Sequence, residues 1–126
     1  DVDRLGYVGL SWGALMGSVM IAPEDRFKVG VFLLGGICAC QRHQTSDPAN
    51  FASGVKIPIL MINGTDDSIF PYKTAQQPLF NLLGTPLAHR KHIILPGGHS
   101  ISWEYHKQCN QEVVKWLDRY LGPVKQ

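Results

Sequence analysis

A serine between two glycines, in Gly9-Leu10-Ser11-Trp12-Gly13, is the first group in this sequence whose type and spacing could do covalent chemistry. Residues 5–10 before it form a short apolar run that suits a buried strand, and residues 12–22 after it suit a helix. Ser11 therefore stands at a strand-to-helix turn, the context in which G-x-S-x-G carries meaning. A turn that sharp holds the serine in an unfavourable backbone conformation and pushes its hydroxyl into the open, while Gly9 and Gly13 let the flanking segments approach. The N–H of Trp12, opening the helix, would point toward an oxyanion at the end where the helix dipole helps.

A serine hydroxyl is a weak nucleophile at neutral pH. It needs an imidazole to take its proton and a carboxylate to orient that imidazole. Both kinds of group lie later in the chain on glycine-marked turns. Asp66 and Asp67 close the segment Asn63-Gly64-Thr65-Asp66-Asp67, and His99 follows Pro96-Gly97-Gly98. Singly, these could be a turn serine, a turn aspartate and a loop histidine. Jointly, their types, their order and their placement after successive apolar runs favour one shared role.

The elements that must position them follow from pattern. Residues 28–34 and 57–62 are continuous apolar runs, expected as strands buried on both faces of a parallel sheet, and residues 92–95 give a fourth, short strand. Residues 12–22 are apolar all round and should form a buried helix ended by Pro23. Residues 72–83 have helical spacing, kinked or restarted at Pro78, and residues 102–121 form the clearest amphipathic helix, with Val113, Trp116, Leu117, Tyr120 and Leu121 on one stripe. Residues 38–56 are polar and rich in turn residues, so a long irregular connection is expected there. Four strands alternating with three helices predict an α/β fold, a parallel sheet with helices on both faces.

On these motifs the sequence resembles the α/β-hydrolase superfamily, in particular the esterases and peptidases related to dienelactone hydrolase and prolyl oligopeptidase. The approach Asp1-x-x-Arg4-Leu5-Gly6 into Gly9-x-Ser11-x-Gly13 is similar to their nucleophile elbow. Ile57-Pro58-Ile59-Leu60 to Gly64-x-x-Asp67-x-x-Phe70-Pro71 is similar to their acid loop, and Gly98-His99 to their histidine loop. The resemblance implies a serine hydrolase of ester bonds with Ser11 as nucleophile, Asp67 as orienting acid, His99 as general base and the Trp12 N–H as one oxyanion donor. Asp66 is the runner-up acid. It also implies that residues 1–126 are the second half of the catalytic domain, with the second oxyanion donor in a first half not included. The elbow strand is then an open sheet edge, to be covered by that N-terminal half or by a partner chain. Two alternatives stay open: an S9-type peptidase with the same triad, and an inactive half-hydrolase acting as a binding or assembly module. Peptidases of this group usually carry a second glycine after the elbow, where this chain has Ala14, which favours the esterase reading.

Composition bounds the remaining classes. Twelve basic and ten acidic residues give a net charge of +2 without a basic run, so no nucleic-acid partner is expected. The apolar runs are far shorter than the roughly 20 residues a membrane helix needs, so no membrane span is expected. Cys38, Cys40 and Cys109 are read as ordinary thiols. His43, His89, His92 and His106 lack a ligand spacing and are read as exposed or loosely packed, so no metal or cofactor is implied. Trp103 and Tyr105 could wall a substrate pocket or pack against the sheet, and residues 38–56 occupy the place where the superfamily inserts lids. The sequence opens at Asp1 with no methionine or leader-like segment, and a preceding stretch is expected. The substrate class implied is a small-molecule ester or a peptide.

Overall fold

The computed structural model describes residues 1–38 and 43–123. Its main elements run β1 (Leu5–Leu10), α1 (Trp12–Ile21), β2 (Phe27–Leu33), α2 (Pro48–Ala52), β3 (Ile59–Gly64), α3 (Gln77–Leu82), β4 (Arg90–Leu95) and α4 (His106–Leu121). The four strands form one parallel sheet in the order β1-β2-β3-β4.

Alternation along the strands sends successive side chains to opposite faces, and both faces are covered. Phe32, Ile59 and Met61 meet Ala14 and Ile21 of α1, Ala52 of α2 and Leu79 of α3. Val29, Val31, Leu60 and Ile62 meet Cys109 and Trp116 of α4. Every residue of β3 is buried, which is why that strand reads as an unbroken apolar run. Arg4, just before β1, closes the structure on the α4 side by donating Nε to the Leu121 carbonyl and Nη2 to the Gly122 carbonyl, each at 2.7 Å.

Coverage is incomplete at β1. Gly6 lies beneath Leu117 and Leu121, but Val8 and Leu10 further along the same face are 53% and 60% exposed. Because among the described residues β1 is bonded only to β2, this apolar face borders an open sheet edge.

Two local expectations are corrected and a third is made specific. Residues 38–56 are not wholly irregular, because α2 forms within them: Asp47 accepts from the Ala49 N–H as its N-cap, and Pro48 sits at the first turn, where no N–H is needed. The chain thus has four α-helices rather than three among the described residues. The segment from residue 72 starts as a π-helical turn over Tyr72–Gln76 and becomes α3 with Pro78 in its first turn, so the proline restarts the helix. Cys38 stands in a disulfide and is not the thiol expected, whereas Cys109 is free and buried. Cys40 lies outside the described residues.

Among the described residues, no helix is long and apolar enough to cross a membrane.

Candidate active site

The C-terminal ends of β1, β3 and β4 carry the three groups singled out by their spacing. Ser11 ends β1 and caps α1 with φ 51° and ψ −107°, a left-handed conformation that costs a non-glycine residue about 1–3 kcal/mol. It is held there from both sides: its N–H donates to the Leu33 carbonyl at 2.8 Å, and its carbonyl accepts from the Leu15 N–H at 2.9 Å. Its Oγ lies 2.7 Å from His99 Nε2.

Asp67 follows β3 and its side chain is fully buried. Its Oδ1 accepts from the Ile69 and Phe70 N–H groups, both at 2.9 Å, and its Oδ2 lies 3.0 Å from His99 Nδ1. Since the carboxylate can only accept, His99 donates from Nδ1 and presents the Nε2 lone pair to the Ser11 hydroxyl. Phe70, itself buried, places its ring centroid 5.8 Å from that of His99 and packs with Leu15 and Ala75, screening the Asp67–His99 pair. Asp66 is exposed, and its carboxylate accepts from the Thr65 hydroxyl at 3.0 Å, so the two candidate acids are separated by geometry.

The acid and histidine loops are joined through backbone. The Thr65 N–H donates to the Leu95 carbonyl and the Asp66 N–H to the Gly97 carbonyl. Trp12 opens α1, so its amide lies at the positive end of that helix, next to the Ser11 hydroxyl.

Solved structures resemble the fold of this chain over nearly its whole length. A cold-adapted esterase from an Arctic intertidal metagenomic library is 27% identical with a TM-score of 0.77, over 94% of this chain and 49% of its own. An esterase from Pyrococcus furiosus is 16% identical with a TM-score of 0.78, over 95% of this chain and 55% of its own. The acylaminoacyl peptidase of Pyrococcus horikoshii is 17% identical with a TM-score of 0.77, over all of this chain and 25% of its own. This chain is half of an α/β-hydrolase fold. It spans about half the length of the esterases it resembles. No protein-family model and no curated protein matches the sequence.

Within this fold the two glycines that flank Ser11 pack differently. A Cβ on Gly9 would lie 2.5 Å from the Gly13 carbonyl carbon and oxygen, both backbone atoms, so β1 and α1 can cross this closely only over a glycine. A Cβ on Gly13 would meet nothing nearer than the Tyr7 hydroxyl at 4.0 Å. Close packing among the described residues thus accounts for Gly9 and not for Gly13. Gly9→Ala is expected to lower unfolding free energy by about 1–3 kcal/mol and Gly13→Ala by less than about 1 kcal/mol. Denaturant titration of both variants measures this, and equal losses would contradict the packing.

The four other histidines are spread over unlike elements, each with its own partner. His43 Nδ1 meets the Thr45 hydroxyl, His89 Nδ1 the Tyr120 hydroxyl and His106 Nε2 the Ile101 carbonyl. Tyr105 packs into the α4-side core, but Trp103 is 82% exposed and packs on no sheet residue of that core.

His92 is not the loosely packed residue expected. It lies half-buried on β4 against Tyr72 and Phe80, and its Nε2 donates to Asn63 Oδ1 at 2.9 Å while Asn63 Nδ2 donates to the Gly35 carbonyl at 2.8 Å. Asn63, read as the start of a turn, is instead a wholly buried strand residue beside the acid loop. The available signal was a lone amide closing an otherwise apolar run. Gln76 is a second buried amide that sequence pattern did not single out. Its Nε2 lies 2.8 Å from the Phe70 carbonyl and 3.3 Å from that of Gly64.

Burial lowers the His92 pKa to about 4 from an ordinary 6.5. The folded state therefore resists a proton that the unfolded chain accepts. The stability associated with neutral His92 is complete above pH 6.5 and falls, by up to about 3 kcal/mol, as pH drops from 6.5 to 4. His92→Gln keeps an N–H for Asn63 without a titrating ring. Unfolding free energies measured across this window should show a shallower slope in the variant, and parallel curves would count against the assignment.

Proposed function

We propose that this chain carries the catalytic triad of a serine hydrolase that cleaves an ester bond through an acyl-enzyme. The observation that carries the reading is the unbroken chain from Ser11 Oγ to His99 Nε2 at 2.7 Å and from His99 Nδ1 to Asp67 Oδ2 at 3.0 Å. His99 takes the Ser11 proton as Oγ attacks the ester carbonyl carbon, and Asp67 holds the imidazolium that forms. The Trp12 N–H donates to the oxyanion. Collapse of the tetrahedral intermediate breaks the bond to the alcohol, which leaves with the proton from His99 Nε2. Water, deprotonated by His99, then attacks the acyl carbon and releases the acid, regenerating Ser11.

A peptidase would use the same groups. Ala14 after the elbow and the 27% identity to an esterase favour ester substrates. The N-terminal half of the domain, or a partner chain, is proposed to cover the β1 edge and to bring the second oxyanion donor. One such donor contributes about 2.7–4 kcal/mol in comparable enzymes, so residues 1–126 alone should be a weak catalyst.

A fluorophosphonate probe on the full-length protein tests the reading. Labelling that disappears in Ser11→Ala is expected, with p-nitrophenyl esters turned over faster than peptide anilides. Preference for anilides would make it a peptidase. A protein that neither labels nor turns over either class would be left as a binding or assembly module.

A further inference from the structure

The acid loop is closed by a single buried side chain outside the triad. Gln76 is 0% exposed and sits on the π-helical turn Tyr72–Gln76, where the Gln77 N–H donates to the Tyr72 carbonyl, five residues back. That wider turn is the kind of local distortion that re-aims a side chain at a working site. The Gln76 carboxamide sends its two N–H bonds to the carbonyls of Gly64, where β3 ends, and Phe70, at distances of 3.3 Å and 2.8 Å. Those carbonyls bracket the stretch that carries Asp67. Both are acceptors, so only the NH2 end of the amide can face them. Among the described residues Gln76 Oε1 is left buried with no hydrogen-bond partner, a cost that a side chain kept only for packing would avoid.

We infer that Gln76 is a positioning residue for the acid: by tying the two ends of the acid loop it fixes where the Asp67 carboxylate meets His99. The inference depends on the serine-hydrolase reading. The loop has its own internal bonds, from Asp67 Oδ1 to the Ile69 and Phe70 N–H groups, but these set only the shape of the turn. The Thr65 and Asp66 N–H groups tie the first residues of the stretch to the histidine loop, and the Gln76 amide adds the tie between its two ends, Gly64 and Phe70. Without it, two buried carbonyls lose their donor and the turn can shift as a unit, and a shift of about 1 Å in a catalytic group can cost on the order of a hundredfold in rate.

The test is a double-mutant cycle in the full-length protein, with Gln76→Met, Asp67→Ala and the pair, read by kcat on a p-nitrophenyl ester and by the rate of fluorophosphonate labelling. Gln76→Met is expected to lower kcat by roughly ten- to a hundredfold with little change in KM, and to cost no more than about twofold when Asp67 is already alanine. Losses that multiply in the pair, or a Gln76→Met enzyme as fast as wild type, would overturn the inference.

A wild type that does not label at Ser11 refutes the hydrolase reading itself, which separates the two failures. If Gln76→Met does not fold, Gln76→Glu supplies the second probe. Its carboxylate repels both carbonyls, whereas its acid form offers one donor, so its activity relative to wild type should rise as pH is lowered. A profile parallel to wild type, or failure of both variants to fold, would make Gln76 a purely structural residue.

Discussion

Ser11→Ala in the full-length protein is expected to lower kcat on a p-nitrophenyl ester by roughly 10⁶-fold and Asp67→Asn by roughly 10⁴-fold, while Asp66→Asn leaves it unchanged. The first loss follows from removing the nucleophile. The second follows from how Asp67 is held. Its Oδ1 accepts two backbone N–H bonds, so an asparagine there must put its carbonyl oxygen in that place and turn its NH2 toward His99 Nδ1. The NH2 donates, which drives the ring proton to Nε2, and that nitrogen can then no longer accept from the Ser11 hydroxyl. The imidazole would be in the right place in the wrong tautomer. Asp66 bonds the Thr65 hydroxyl beside it, so its substitution is the control. Equal losses at 66 and 67 would refute the assignment of the acid.

Gly64→Ala should be damaging for a different reason. A Cβ at this position would lie 2.1 Å from the Gly98 carbonyl oxygen and 2.5 Å from that of Gly97, closer than any real contact, and both obstacles are backbone. To admit a methyl group, the loop bearing His99 must move away from the loop bearing Asp67. About 1–3 kcal/mol of stability and on the order of a hundredfold in kcat are expected to be lost together. Gly98→Ala is the comparison, because a Cβ there meets only the Asp66 carbonyl at 3.7 Å, an ordinary contact. Denaturant titration and ester turnover on both variants test this. An active, stable Gly64→Ala protein would show that the two loops do not depend on their close approach.

Much of this architecture was legible because long-range burial leaves a local trace. Residues 57–62 are apolar at consecutive positions because β3 is covered on both faces, and Val113, Trp116, Leu117, Tyr120 and Leu121 keep helical spacing because α4 buries one stripe. The candidate site was legible for a similar reason: each of its groups sits on a turn marked by glycine, and Gly9 and Gly64 answer to contacts that tolerate nothing larger.

What pattern missed has no periodic signature. The short helix α2 is nucleated by one cap and one proline, and Pro48 is fixed on α1 through its carbonyl, which accepts from the buried Ser18 hydroxyl at 2.8 Å. The preference of Asn63 and His92 for the interior depends on partners far off in the chain, the Gly35 carbonyl for Asn63 and Asn63 for His92, and that of Gln76 on the two ends of a loop just before it.

The pairing between the acid and histidine loops has a mechanical corollary. Asp67 and His99 are carried on segments joined by the Thr65 to Leu95 and Asp66 to Gly97 bonds, and the histidine loop is itself braced by the Ser102 N–H on the Pro96 carbonyl. Ser11 belongs to another body, the junction of β1 and α1, and among these three groups its hydroxyl is the link to that assembly. The site is thus built from two parts that meet at one side-chain contact. Warming or a remote substitution should open the contact between Ser11 and His99 before the one between His99 and Asp67, so that turnover fails while the sheet beneath is still intact.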